Sequence, residues 1–188
     1  MNGNLNGNPS TSSDNSVMII ELDTTAPLVT VSGAISIDVE YAGSFIEDGA
    51  TWTDNVDGSG TISAYNSGSV NTGALGSYIV SYVYVDLAGN TGSAERTVNV
   101  VDTTAPVMTL SGSSPVTLFS GSVFNDDGAT WSDAVDGTGL VSTYNSGVLD
   151  VNSTGSYLIG YVYVDAAGNT GSVDRVVNVV EPDVTAPV

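Results

Sequence analysis

Apolar and polar residues alternate along much of this chain with a period of two. In GSYIVSYVYV, starting at Gly76, Tyr78, Val80, Tyr82 and Tyr84 fall on one side of an extended strand, and Ile79, Val83 and Val85 on the other. β-Branched and aromatic residues in such a run predict a long strand. Leu28 to Val31, Ile35 to Val39 and Ile62 to Tyr65 predict short strands, and Thr97 to Val101 one that alternates less strictly. Gly, Asn, Asp and Ser cluster between them, and no stretch combines helical spacing with caps. About seven short strands in one such unit predict an antiparallel β-sandwich.

The pattern then repeats. GSYIVSYVYVDLAGNTGS at Gly76 returns as GSYLIGYVYVDAAGNTGS at Gly155, a shift of 155 − 76 = 79. DGATWTDNVDGSG at Asp48 and DGATWSDAVDGTG at Asp127 keep that shift, as do the DTTAP openings at Asp23 and Asp102. A fixed period of this length defines repeating structural units, here Asp23 to Val101 and Asp102 to Val180. TVNVV runs straight into DTTAP without a Gly/Ser tether, and a proline-bearing junction of this kind is stiff. VMIIEL, from Val17 to Leu22, resembles the closing strand of a preceding unit, after an Asn/Gly/Ser-rich polar leader within residues 1–22. Residues 181–188, EPDVTAPV, resemble the opening of a further unit or a connector between subunits. The chain is therefore read as a stretch of a longer array.

DTTAP, DGATWTDNVDGSG, the GSYIVSYVYVDLAGNTGS strand and loop, and RTVNVV together resemble bacterial immunoglobulin-like and hyalin-repeat-like domains. Such domains occur in long cell-surface adhesins and extracellular matrix proteins. The resemblance covers both units and implies an all-β chain of two tandem seven-stranded immunoglobulin-like sandwiches in a rod. It also implies calcium at domain junctions, as in some members.

Charge narrows the function classes. The 188 residues carry 21 acidic groups against two arginines, with no Lys and no His, for a net charge of −19. That field repels nucleic acid and anionic lipid and attracts cations. No apolar run is long enough for a membrane-spanning helix, and no basic segment followed by an apolar core opens the chain. Without Cys, His or Lys there is no thiol nucleophile, Ser-His-Asp triad, Schiff base or P-loop. Paired-carboxylate hydrolysis remains chemically open, but no cleft is advertised, and the chain is read as non-catalytic.

Oxygen-rich loops supply the candidate sites. If alternate loops of the sandwich fall at one end, Asp86 and Asn90 lie near Asp23, and Asp165 and Asn169 near Asp102. The loops holding Glu47 and Asp48, and Asp126 and Asp127, are expected beside them. Calcium takes six to eight oxygen ligands, and such a group offers carboxylates and an amide carbonyl. Two carboxylates about 4 Å apart repel by roughly 1 kcal/mol in water and roughly 4 kcal/mol at an effective dielectric near 20. With no lysine nearby, a cation is the natural neutraliser. The same DxAGN sequence also reads as turn chemistry alone. Asp54 and Asp57, with Asp133 and Asp136, form a second acidic motif expected at the opposite end, facing the next unit. Trp52 and Trp131 read as core residues, with a sugar-stacking platform as the alternative. Arg96 and Arg175 are expected to pair with acidic neighbours on the closing strand. Abundant Ser and Thr, and the Asn152-Ser153-Thr154 sequon, are open to glycosylation.

The resulting expectation is an extracellular structural repeat of an adhesin stalk or filament. Calcium would stiffen it, and it would contact neighbouring repeats or identical subunits head to tail, with surface glycans as a further partner class. The alternative is a non-catalytic carbohydrate-binding module attached to a secreted enzyme or adhesin.

Overall fold

A computed structural model describes residues 22–184. Most of the leader with its VMIIEL segment, and the final TAPV, lie outside the described residues. The described residues form fourteen strands, seven per unit. In the first unit they are β1 (Leu28–Val31), β2 (Ser36–Glu40), β3 (Ala50–Asp54), β4 (Gly58–Ile62), β5 (Ser67–Gly68), β6 (Gly76–Val85) and β7 (Thr91–Val101). The second unit repeats them as β8 (Val107–Leu110), β9 (Val116–Phe119), β10 (Ala129–Asp133), β11 (Gly137–Val141), β12 (Ser146–Gly147), β13 (Gly155–Val164) and β14 (Thr170–Val180).

Each unit packs a three-stranded sheet, ordered β1-β3-β4, against a four-stranded sheet, ordered β2-β7-β6-β5. The second unit has the same two orders. The alternation of β6 is realised as read. Val80 and Tyr82 are fully buried, while Ile79 and Val85 are more than half exposed. Val29, Ala50, Val98 and Val100 complete the first core, and Ala129, Ile159, Tyr161, Val177 and Val179 form its counterpart.

One feature departs from a simple up-and-down order. β2 pairs in parallel with β7, Ser36 opposite Thr97 through Glu40 opposite Val101. Pro27, just before β1, lies against Gly92 at the start of β7, and a Cβ on Gly92 would meet the Pro27 carbonyl at 1.8 Å. Further along, Ser32 reaches Arg96. β1 and β2 therefore run the same way, as one edge strand that breaks near Gly33 and passes from one sheet to the other. That break fixes which loops share an end. The β3–β4 turn and the β6–β7 loop both come to the end where DTTAP enters, the leading end. The loop before β3 starts on the far side.

Trp52 lies opposite Gly60 across the β3–β4 pair and stacks on Tyr84 of the other sheet, with centroids 3.8 Å apart and planes 10° from parallel. Trp131 and Tyr163 repeat this at 3.9 Å and 9°. The indole packs against the core and bridges the two sheets, in keeping with its reading as a core residue. A Cβ on Gly60 would meet the Trp52 indole nitrogen at 2.7 Å, so the small residue makes room for the large one.

Candidate metal site at the leading end

At the leading end of the first unit, Asp23, Asp54 and Asp86 each bring a carboxylate oxygen within 4.8 Å of the others. Asp102, Asp133 and Asp136 do so in the second unit. Each side chain is positioned by a turn of its own. Asp23 accepts the Thr25 amide at 3.0 Å. Asp54 Oδ1 accepts the amides of Val56 and Asp57 at 2.8 and 2.9 Å, which closes the β3–β4 turn. Asp57 accepts the Leu87 amide at 2.7 Å, tying that turn to the β6–β7 loop. Asp86 Oδ1 accepts the Asn90 amide at 2.7 Å. The Asn90 side-chain amide donates to Asp86 Oδ2 at 2.8 Å and to the Asp23 carbonyl at 3.2 Å, pinning the DTTAP opening to the loop. The second unit repeats each contact, with Asn169 bridging Asp165 and the Asp102 carbonyl and Asp136 accepting the Ala166 amide.

These bonds leave particular oxygens over. Asp54 Oδ2, Asp102 Oδ2 and Asp133 Oδ2 are shielded from solvent without a hydrogen-bond partner. A carboxylate oxygen in that position costs free energy unless a donor or a cation meets it. The Asp102 carboxyl is pushed above its ordinary range, first by burial and then by repulsion from Asp133, Asp165 and Glu40, against the opposing Thr104 amide bond. Burial alone would raise Asp165 too, but hydrogen bonds from Asn169, Gly168 and Ala167 outweigh it and hold the group low. Asp54 is held low by the amides of its own turn, Asp57 foremost. The donor set is all oxygen, hard and anionic, and lacks a basic side chain. Those residues suit calcium.

The structure alters the predicted site membership. Asp54, Asp57, Asp133 and Asp136, expected at the opposite end, join Asp23, Asp86, Asp102 and Asp165 at the leading end. Asp48 and Asp127 do not. Asp48 Oδ2 lies 3.9 Å from Arg96 Nη1, and Asp127 Oδ2 lies 3.8 Å from Arg175 Nη1. The physical reason is the broken edge strand. With β1 and β2 running the same way, the loop before β3 and the β3–β4 turn exchange ends relative to simple alternation, while the β6–β7 loop stays at the leading end.

Arg96 and Arg175 are fully buried, and their acidic partners come from the loops before β3 and β10 rather than from the closing strands. Arg96 donates to the Ser32 carbonyl and lies 3.8 Å from Glu47. Glu47 also accepts the Tyr82 hydroxyl at 2.6 Å. Burial, followed by that bond to a carboxylate, raises the Tyr82 hydroxyl far above its ordinary value. Each network ties both sheets to the loop before β3 or β10.

Glu40, at the end of β2, is a site residue that sequence reasoning passed over. Its carboxylate accepts the Thr103 amide at 3.1 and 3.2 Å, the Thr103 hydroxyl at 2.6 Å and the Thr104 hydroxyl at 2.7 Å. It thus grips the opening of the second unit from the first. The available signal was that the residue 79 positions later is Phe119.

Two shallow grooves flank the acidic groups, about 240 Å³ beside Thr25, Leu28 and Asp54, and about 290 Å³ beside Thr104, Val107 and Asp133. Neither exceeds the lower bound for typical small-molecule sites, about 300 Å³.

Comparisons with known proteins bear on the same two units. The chain is 33% identical over 185 residues to a Hyalin of Lytechinus variegatus, an alignment covering 92% of this chain and 34% of that protein. It is 34% identical over 197 residues to a Hyalin of Strongylocentrotus purpuratus, covering 96% of this chain and 16% of that one. The chain thus spans 34% and 16% of the length of these curated relatives. The crystal structure of a lipoprotein from Bacteroides thetaiotaomicron aligns over 80% of this chain and 98% of its own, at 16% identity and a TM-score of 0.33; that score is too low to support an argument. The family described as bacterial surface protein, Ig-like domain, matches residues 29–100 and again 108–179, one match within each sandwich. Two such matches cover most of the chain, and the chain belongs to that bacterial surface-protein Ig-like family, in two tandem copies.

Proposed function

We propose that this chain is a structural repeat of an extracellular stalk or filament, whose leading-end carboxylates bind calcium and stiffen the junctions between units. The family and the Hyalin likeness point to an extracellular or cell-surface protein with a structural, adhesion-type role. The single observation that carries the calcium reading is the set of shielded, partnerless oxygens of Asp54, Asp102 and Asp133, each within an acidic group or beside one. Asp102 is the first residue of the second unit, and Glu40 of the first unit adds negative charge beside it. A divalent cation held there would relieve that repulsion and lock the junction already gripped by Glu40.

The experiment is a calcium titration by calorimetry, paired with small-angle scattering in calcium and in chelator. Extracellular calcium modules bind with Kd on the order of 10⁻⁴ to 10⁻³ M, and that range is expected here. The maximum dimension should shorten or become more heterogeneous in chelator while the sandwiches stay folded. No heat of binding together with an unchanged scattering profile defeats the calcium reading and leaves the structural one. Trp52 and Trp131 are engaged with Tyr84 and Tyr163 between the sheets, so the aromatic platform of the carbohydrate-binding alternative has no specific observation in its favour.

A further inference from the structure

The two sheets of the second unit have four edge strands, β11 and β8, β12 and β9. Three of them carry devices that discourage further strand pairing. β8 follows Pro106 and lies against the start of β14 at Gly171. β9 follows Pro115. β12 has only two residues, and beyond it the Asn145 side chain stands in for a strand: it donates to the Val162 carbonyl at 2.8 Å and accepts the Val162 N–H at 2.8 Å. β11, with the sequence GTGLV, has neither proline nor charge.

The register shows which backbone groups of β11 are free. The Ser111 N–H donates to the Gly128 carbonyl at 3.0 Å, which directs Gly128 toward β8. Backbone direction alternates along an antiparallel strand, so Thr130 and Ser132 also face β8, while Ala129, Trp131 and Asp133 face β11. Their partners Val141, Gly139 and Gly137 therefore turn their N–H and C=O inward. Those of Thr138 and Leu140 point away from the sheet, and no described residue bonds to them. Both side chains are exposed, Leu140 at 61%.

We propose that β11 docks side by side with β11 of a second copy of this chain, the two strands running antiparallel about Gly139 to make one six-stranded sheet. Charge selects this occupant and this direction. Copies of a chain with net charge −19 repel, and β11 is an uncharged strip between Asp136 at one end and Ser142 and Thr143 at the other. In the antiparallel register Asp136 meets Ser142 of the second copy. The two Asp136 residues then stand about 20 Å apart along the ladder at ~3.4 Å per residue, beyond the Debye length of about 8 Å at physiological ionic strength. A parallel register would set them side by side. Gly139 leaves the two-fold axis free of side chains, and Thr138 meets Leu140 of the second copy on each side of it. Each such pair exchanges two backbone hydrogen bonds and packs an apolar side chain across the strands. The contact is isologous and closes as a pair. It adds a lateral partner to the structural role proposed above and does not depend on the ion.

The test uses the absence of native cysteine. Full chains carrying only Thr138→Cys are mixed with differently tagged full chains carrying only Leu140→Cys and oxidised with diamide. The proposed register places these positions opposite each other, at the Cα separation of about 5.5 Å that a disulfide bridges. Mixed dimers should therefore exceed same-position dimers severalfold. Leu140→Cys chains should also link to Thr138→Cys chains in excess of chains carrying Ser59→Cys, on the matching edge of the first unit. In sedimentation velocity, over a series reaching millimolar concentration, the natural chain should associate weakly, because one strand pair buries less than the ~1,000 Å² of a stable complex. Leu140→Pro removes the outward N–H of each copy without breaking a ladder bond inside the unit. It should weaken association by about tenfold or more, the scale of two hydrogen bonds, and should keep the natural melting temperature. If that variant melts early, the cross-linking register alone decides. Same-position dimers as abundant as mixed ones, preferred linkage to Ser59→Cys, a natural chain monomeric throughout, or unweakened association of a folded Leu140→Pro chain would each overturn the proposal. None of these readouts depends on the calcium titration, so the two can fail separately.

Discussion

Arg96 and Arg175 are the sole cationic side chains among 188 residues, and the fold places both at zero exposure. Removing one partner of a buried ionic group leaves the others uncompensated, a loss of about 3–5 kcal/mol. Arg96→Ala should therefore cost that much in urea unfolding. Asp48→Asn should cost under about 1 kcal/mol, because Asp48 is 60% exposed and water screens the pair. Asp126 adds a pH dependence to the second unit. Burial pushes its carboxyl up, but the Tyr161 hydroxyl, the Gly128 and Tyr144 amides and Arg175 outweigh that and hold it below its ordinary 3.8. A carboxyl depressed on folding contributes stability that is complete above its unfolded value and is lost as pH falls through the folded one. Thermal melts should thus show a stability loss below about pH 4 that Asp126→Asn flattens.

Among the elements, the long strands and β1 were legible, and β3 and β4 of the small sheet were not. β6 declares itself because its alternation runs through ten residues of aromatic and β-branched type. β4 does not: its sequence is GSGTI, and the expected strand at Ile62 to Tyr65 begins where β4 ends. The reason is local. Gly60 is where it is because Trp52 covers it, so a position that would normally signal an inward face carries no side chain. Gly60→Ala should push the indole off Tyr84 and destabilise the unit by about 1–3 kcal/mol in urea unfolding, the cost typical of overpacking. The candidate site was half legible for a related reason. DTTAP and DxAGN identified themselves by repetition, and their meeting followed from the order of the strands. Placing Asp54 and Asp48 required knowing that β1 and β2 run the same way, and no residue pattern announces that β2 pairs in parallel with β7. Glu40 was hidden because an acidic residue at a strand end is ordinary; only its bonds to Thr103 and Thr104 distinguish it.

For the whole molecule, the Glu40 grip and the proposed calcium site act on the same junction by different chemistry, so they should be separable. Glu40→Ala removes every hydrogen bond from the first unit to Thr103 and Thr104 described above, and it should broaden the angular distribution between the units in electron micrographs while leaving each sandwich folded. Adding calcium should raise the melting temperature by mass action, with about 1.4 kcal/mol gained at a tenfold excess over Kd. Asp133→Asn, which weakens an oxygen set at the second unit, should reduce that gain.

The parallel pairing of β2 with β7 has a mechanical consequence. Tension along the chain draws the front of each unit one way and its last strand the other, so the β2–β7 ladder is loaded lengthwise. Its hydrogen bonds must then slide and rupture together instead of peeling apart in turn. Five residue pairs share that load in the first unit and four in the second. Pulled in a force spectrometer, the second unit should rupture first and at the lower force, a built-in order of yielding.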